Sequence, residues 1–206
     1  FKKTFGFVIV FLISTFTAVS QNAYTRLCLE AIAFEKDGKL DEAAESYSEA
    51  IKLKPDDWTG YNYRAKVNLE RGRYDDAIAD ASKALSLSPN TASLYEVRAR
   101  GYEAKEMYDR AIDDYSKALP AAGSKDKSNF LTWYRRGRAY FMNRQYREAI
   151  YDFDKAAAAS PEHWNAEPDI YLQRAQSHIE LGNFSGATGD LDRFLNRFTD
   201  TQLGHH

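Results

Sequence analysis

Four arginines in this chain recur with an aspartate sixteen residues further on: Arg64 with Asp80, Arg98 with Asp114, Arg136 with Asp152 and Arg174 with Asp190. A guanidinium and a carboxylate at fixed spacing can hold an anionic ligand or tie two segments together. Where a fifth pair would fall, the chain has Glu30 and Ser46 instead. Loss of both partners at once points to a structural tie between two helices. A partly exposed pair of this kind contributes only ~0.2–1 kcal/mol.

Other groups capable of chemistry are few. His163 and His178 stand outside any HExxH or related metal spacing. Cys28 is the single cysteine, so no intrachain disulfide or CxxC site exists, and no histidine neighbours it in sequence. The acidic doublets Asp75-Asp76 and Asp113-Asp114 are expected on solvated helix surface, and Arg100-Gly101-Tyr102 lies within a helical pattern rather than a phosphate-binding loop. No catalytic site, metal or cofactor is expected.

The elements that carry these residues repeat. Tyr74-Asp-Asp-Ala-Ile-Ala-Asp returns at Tyr108 and again at Tyr146 with few changes. Aligning on its alanine gives Ala43, Ala77, Ala111, Ala149 and Ala187, with successive spacings of 34, 34, 38 and 38. A second column of small residues holds Ala31, Ala65, Ala99, Gly137 and Ala175, and four residues before it stand Leu27, Tyr61, Tyr95, Trp133 and Tyr171. Large and small residues thus alternate at i, i+4 and i+7, which gives each helix one apolar stripe. Gly38, Gly72 and Gly182 mark turns between paired helices, and Asp41, Asp75 and Asp109 open second helices, where the positive end of the helix favours an acid. Two stretches lengthen the period by four residues: Ala121 to Asn129, and Glu162 to Pro168 with Trp164.

On these columns the chain resembles the tetratricopeptide repeat family, whose 34-residue unit is a helix–turn–helix. The resemblance covers roughly residues 24–198 and implies an all-α, right-handed superhelical solenoid. It divides residues 21–198 into five units at about 24–57, 58–91, 92–129, 130–167 and 168–198, followed by a short tail at 199–206. One such unit cannot bury its own stripe, so neighbours must stack.

The first twenty residues stand apart. Lys2 and Lys3 precede an apolar run from Phe5 to Val19, and Ala18-Val19-Ser20 offers the small residues of a cleavage site. Residues 1–20 are therefore expected to be a secretory signal peptide cut before Gln21, since the run falls short of the ~20 residues of a spanning helix. A retained anchor is the alternative. Cleavage would leave no membrane span and would place the protein in a periplasm or cell envelope, or in a secretory lumen if the source is eukaryotic. With formal net charge −2, falling to −4 when Lys2 and Lys3 leave, no basic surface points to nucleic acid.

The family resemblance implies a concave surface lined by first helices, which holds a protein or peptide partner. Its positions here are Thr25, Cys28 and Ile32, then Asn62, Lys66 and Leu69, then Glu96, Arg100 and Glu103. The fourth unit adds Leu131, Tyr134, Arg138 and Phe141, and the fifth Leu172, Gln176 and Ile179. Chaperone-tail binders carry Lys and Asn where Cys28 and Ile32 stand, so a chaperone C-terminus is not expected as ligand. The last unit departs from the pattern with Phe194, Leu195 and Phe198. Either Phe194 folds back to close the core or that face meets another subunit, giving a homo-oligomer. The expected function is a non-enzymatic, exported scaffold or adaptor. The alternatives are a subunit assembling end to end and a regulatory partner of a separate catalytic chain.

Overall fold

In a computed structural model, residues 22–119, 129–159 and 168–203 are described. They form ten helices and no strand. Residues 22–36 make α1, followed by α2 (Leu40–Leu53), α3 (Trp58–Glu70), α4 (Tyr74–Leu87) and α5 (Ala92–Ala104). Then come α6 (Tyr108–Ala118), α7 (Phe130–Met142), α8 (Tyr146–Ala159), α9 (Pro168–Glu180) and α10 (Phe184–Leu203). The helices pair as the repeat predicts, and the fold is an all-α solenoid of helix–turn–helix units. The apolar segment before Gln21, Trp164 and, apart from Asn129 and Pro168, both period-lengthening stretches lie outside the described residues.

Each hairpin is turned by the same device. The backbone N–H five residues on reaches back to the carbonyl of Phe34, Asn68, Tyr102, Tyr140 and His178, at 2.8–2.9 Å in all five repeats. This is a Schellman closure, which needs a left-handed residue just past the helix end. Gly38, Gly72 and Gly182 supply it with φ of 72–73°, as expected. The other two repeats have Glu106 and Arg144 there, at φ 58° and 59°. A side chain in that region strains the backbone, so the turn geometry is set by packing and not by glycine alone.

The chain divides into two compact units inside α5, one ending at Val97 and the other starting at Arg98. In the first, Ala31, Ala43, Ala44, Tyr47 and Val67 form a core joining α1, α2 and α3. Ala65, Leu69, Ala77, Ala81 and Val97 form the next layer. Alanine at these crossings lets helix backbones approach, while Tyr47 and Val67, both fully buried, contribute on the order of 1.5–3 kcal/mol each. Tyr61 and Tyr95 lie over the chain entering their helices and donate to the Pro55 and Pro89 carbonyls at 3.2 and 3.0 Å. Asp57 caps α3 by accepting from the Thr59 N–H at 2.9 Å.

In the second unit, α6 to α10 follow the same scheme. Phe130, Phe153, Ile170 and Tyr171 build its main core with Ala149 and Ala156. Gly137 replaces the usual alanine because a Cβ there would come within 2.9 Å of the Phe153 ring. Phe194 packs half-buried against this core. Its neighbour Leu195 is 58% exposed. The backbone corrects the expected tail: α10 stays helical through Leu203, where a short tail after residue 198 was expected. The Phe198 side chain lies outside the described residues.

Candidate functional site

The arginine–aspartate pairs are two-pronged forks. Arg64 Nε and Nη2 donate to Asp80 at 2.9 and 2.7 Å, Arg98 to Asp114 at 2.6 and 2.8 Å, and Arg136 to Asp152 at 2.7 and 2.8 Å. Arg174 holds Asp190 in the same way. The four aspartates are 0–7% exposed while Arg64, Arg98 and Arg136 are half-buried, so these pairs are partly exposed on the arginine side, as expected, whereas Asp114 is not the solvated surface that was expected. Complete burial pushes the Asp152 carboxyl above the usual carboxylate range against the pull of Arg136. Removing one partner from such a pair costs ~3–5 kcal/mol, because the other charge stays behind unpaired.

The third guanidinium nitrogen reaches back to the preceding repeat. Arg64 Nη1 donates to Ser48 at 2.8 Å, Arg136 Nη1 to Ser116 at 2.9 Å and Arg174 Nη1 to Asp154 at 2.7 Å. Each of these arginines therefore joins three helices. A second tie recurs beside it: Arg71 donates to Asp41, and Asn143 to Asp109 at 2.7 Å. The acids that open α2 and α6 thus also anchor the following hairpin.

A second buried polar pair was missed in the sequence. Tyr47 donates to Glu35, and Tyr115 donates to Glu103 at 2.8 Å. Both tyrosines are fully buried. Burial, then the carboxylate partner, pushes each phenol far above its ordinary value. The matching positions in the other repeats pair Leu69 with Ala81, Phe141 with Phe153 and Ile179 with Leu191. Tyrosine and glutamate enter together or not at all, and that joint change across two columns was the available signal.

The predicted groove residues fall into three groups. Asn62 is 6% exposed and its Oδ1 is buried without a hydrogen-bond partner, and Leu69 is also buried, so neither offers a surface as expected. Leu69 lies within the alanine-rich layer of the first unit. Tyr134 and Phe141 pack against the main core of the second unit, with Tyr134 stacked 6.3 Å from Phe130. Leu131, Leu172 and Ile179 are exposed at 45%, 37% and 40%, and Gln176 is exposed beside them. Arg138 lies over the Tyr134 ring and 3.5 Å from Glu103. Lys66, Glu96 and Arg100 are half-buried. Cys28 is half-buried too, and burial pushes its thiol up, away from the reactive thiolate. Among the described residues no helix is long and apolar enough to cross a membrane.

One cleft of ≈ 790 Å³ opens on α2, α3 and α4, away from these positions, lined by Asp41, Glu45, Arg64, Arg73, Asp76 and Asp80 among others. Its charges are of both signs, and Arg64 and Asp80 already answer each other.

Repeated helical hairpins with packed scaffold pairs and exposed first-helix side chains define a helical-repeat scaffold. The tetratricopeptide-repeat models match residues 28–93, 69–127 and 130–163, and the chain belongs to the tetratricopeptide-repeat family. Solved structures of MamA share the fold. "MamA 41-end from Desulfovibrio magneticus RS-1" aligns with TM-score 0.76 at 17% identity, over 86% of this chain and 96% of that one. "Crystal structure of MamA protein" aligns with TM-score 0.76 at 17% identity, over 90% and 97%. A comparison with curated proteins gave no match.

Proposed function

We propose that this protein is an exported, non-catalytic adaptor that holds a segment of a protein partner along its first helices. The carrying observation is that Leu131, Leu172 and Ile179 stay exposed on the first helices α7 and α9 while the alanine columns beside them are buried. Apolar side chains left outside a well-filled core suit an extended or helical segment with apolar anchors. Tyr134 belongs to the core, so the test is better placed at Leu131 and Leu172. Affinity capture from native envelope fractions is expected to lose its partner with Leu131→Ser/Leu172→Ser while the thermal midpoint is kept. Unchanged recovery would reject the groove.

Export rests on the apolar run behind Lys2 and Lys3. Amino-terminal sequencing of the secreted protein should begin at Gln21, and a retained residue 1 would refute cleavage. A second mode, assembly through the last helix, is supported by the exposure of Leu195 and Phe184 at 58% and 69%. Sedimentation of Leu195→Asp beside the wild type tests it: equal mass for the two rules it out.

A further inference from the structure

A cleft opens beside the arginine–aspartate fork in two repeats, and its walls differ. In the second repeat Arg64, Asn68, Asp76, Ala79 and Asp80 contribute to the cleft of ≈ 790 Å³. In the fourth, the same columns hold Arg136, Tyr140, Glu148, Tyr151 and Asp152, and with Arg147 they line a cleft of ≈ 330 Å³. Two tyrosines thus stand where the second repeat has Asn68 and Ala79. The other repeats carry Phe34 with Glu45, Tyr102 with Asp113 and His178 with Gly189 at these positions, so the double tyrosine belongs to the fourth alone. Tyr151 is 51% exposed, in a column that is otherwise acidic or small, so the fold does not require its ring.

The charges in this cleft cancel. Both Asp152 oxygens accept from Arg136, whose third nitrogen goes to Ser116, and Arg147 and Glu148 bring one charge of each sign. An incoming cation would meet Arg136, Arg147 and Lys155, which already lies 5.1 Å over the Tyr151 ring. An incoming anion would meet Glu148 and Asp152. A sugar needs several directed hydrogen-bonding groups, and those of Arg136 and Asp152 are spent on each other. What the cleft still offers is ring surface. Trp133 extends it, edge-on to Tyr151 with centroids 6.3 Å apart, while the Arg136 guanidinium stacks 4.8 Å over Trp133 and 5.6 Å over Tyr140.

We infer that Tyr140 and Tyr151 wall an aromatic slot on the α7–α8 hairpin that takes the proline rings of a polyproline-type segment of a protein partner. Such a segment is neutral, presents apolar rings, and is already stiff, so little entropy is lost when it docks on aromatic walls. Its backbone has no internal hydrogen bonds, and a tyrosine hydroxyl at the rim of the slot can donate to its carbonyls. The cleft is at the small end of binding cavities, which suits a short segment. The slot draws on α8, away from Leu131, Leu172 and Ile179, and is therefore a second site beyond the first-helix groove proposed above.

The test uses a fluorescein-labelled peptide with an oligoproline stretch in a glycine–serine frame, and its alanine counterpart. The full chain should bind the proline peptide ~10-fold tighter, the size expected for a ring stacked on aromatic walls. Because the probe is neutral, that preference should hold as salt rises. Tyr151→Ala, which writes the second repeat's residue into the fourth, should erase the preference and leave the thermal midpoint unchanged, whereas Tyr151→Phe should keep most of it. The slot is overturned if the wild type shows no preference, if the preference survives Tyr151→Ala, or if salt removes it. A lowered midpoint in Tyr151→Ala would make the ring a packing residue and overturn it too. Competition by an N-acetylhexosamine oligosaccharide as strong as that of unlabelled proline peptide would overturn it in favour of a sugar platform. Leu131→Ser/Leu172→Ser separates the two sites: a preference kept there and lost in Tyr151→Ala supports the slot, and one lost there returns the binding to the first-helix groove and overturns the slot.

Discussion

The pair Tyr47–Glu35 in the first unit and the pair Tyr115–Glu103 in the second occupy the same register and make the same hydrogen bond. At three matching repeat positions beside them the first unit carries Ile32, Tyr63 and Lys66, and the second Arg100, Arg135 and Arg138. A duplicated scaffold acts here as its own control. What both copies share is needed for folding, and what only one carries is available for function. The turns differ too, with Gly38 and Gly72 in the first unit and Glu106, Arg144 and Gly182 in the second.

The largest expected effect treats the two units as equals. Tyr47→Ala and Tyr115→Ala each remove a fully buried ring and should each cost ~3–5 kcal/mol in urea unfolding. If one is nearly neutral, the two pairs are not equivalent parts of the scaffold. Alkaline pH comes next. Both phenols are raised in the folded state, so their contribution is complete below the unfolded value of about 10 and is lost as pH rises through and beyond it. Two protons held in this way give a loss of ~2.7 kcal/mol per pH unit above that value. Tyr47→Phe/Tyr115→Phe should remove that share of the slope and leave what Tyr24, also raised by burial, contributes.

Deleting the hydroxyls alone separates the units. Tyr47→Phe leaves Glu35 without its donor and should cost ~1–2 kcal/mol. Tyr115→Phe should cost less, because Arg138 remains beside Glu103. Equal losses would mean that Arg138 does not support the carboxylate. The smallest effect concerns the turns. Glu106→Gly and Arg144→Gly should each stabilise by ~0.5–1 kcal/mol through relief of the left-handed strain, whereas Gly72→Ala should destabilise.

The sequence made the repeat frame legible because it depends on positions that stay constant: the alanine columns, the turn glycines and the arginine–aspartate spacing. The joint substitution by Glu30 and Ser46 was enough to assign that spacing a structural role. Its depth was not legible, since the burial of Asp152 depends on the layers around it and not on the local pattern. The groove was legible only in part. Its columns named Arg100 and Arg138 but passed over Arg135, which stands where other repeats carry Leu29, Tyr63, Val97 and Gln173. They also included Asn62, whose polar side chain is buried. Column position places a residue on a helix face, but the size of its neighbours decides whether that face meets water.

The third contact of Arg64, Arg136 and Arg174 gives the array a direction. Each hairpin brings the arginine that completes its own aspartate and grips the helix made just before it, through Ser48, Ser116 or Asp154. The earlier helix offers only a short polar side chain and requires nothing from later repeats. A chain emerging from the ribosome therefore latches each new hairpin onto finished structure and leaves no buried charge waiting for a later segment. Truncation from the carboxyl end at a repeat boundary should leave these aspartates paired, while uncovering the apolar face that the next first helix packs on, as Val67 does on Tyr47.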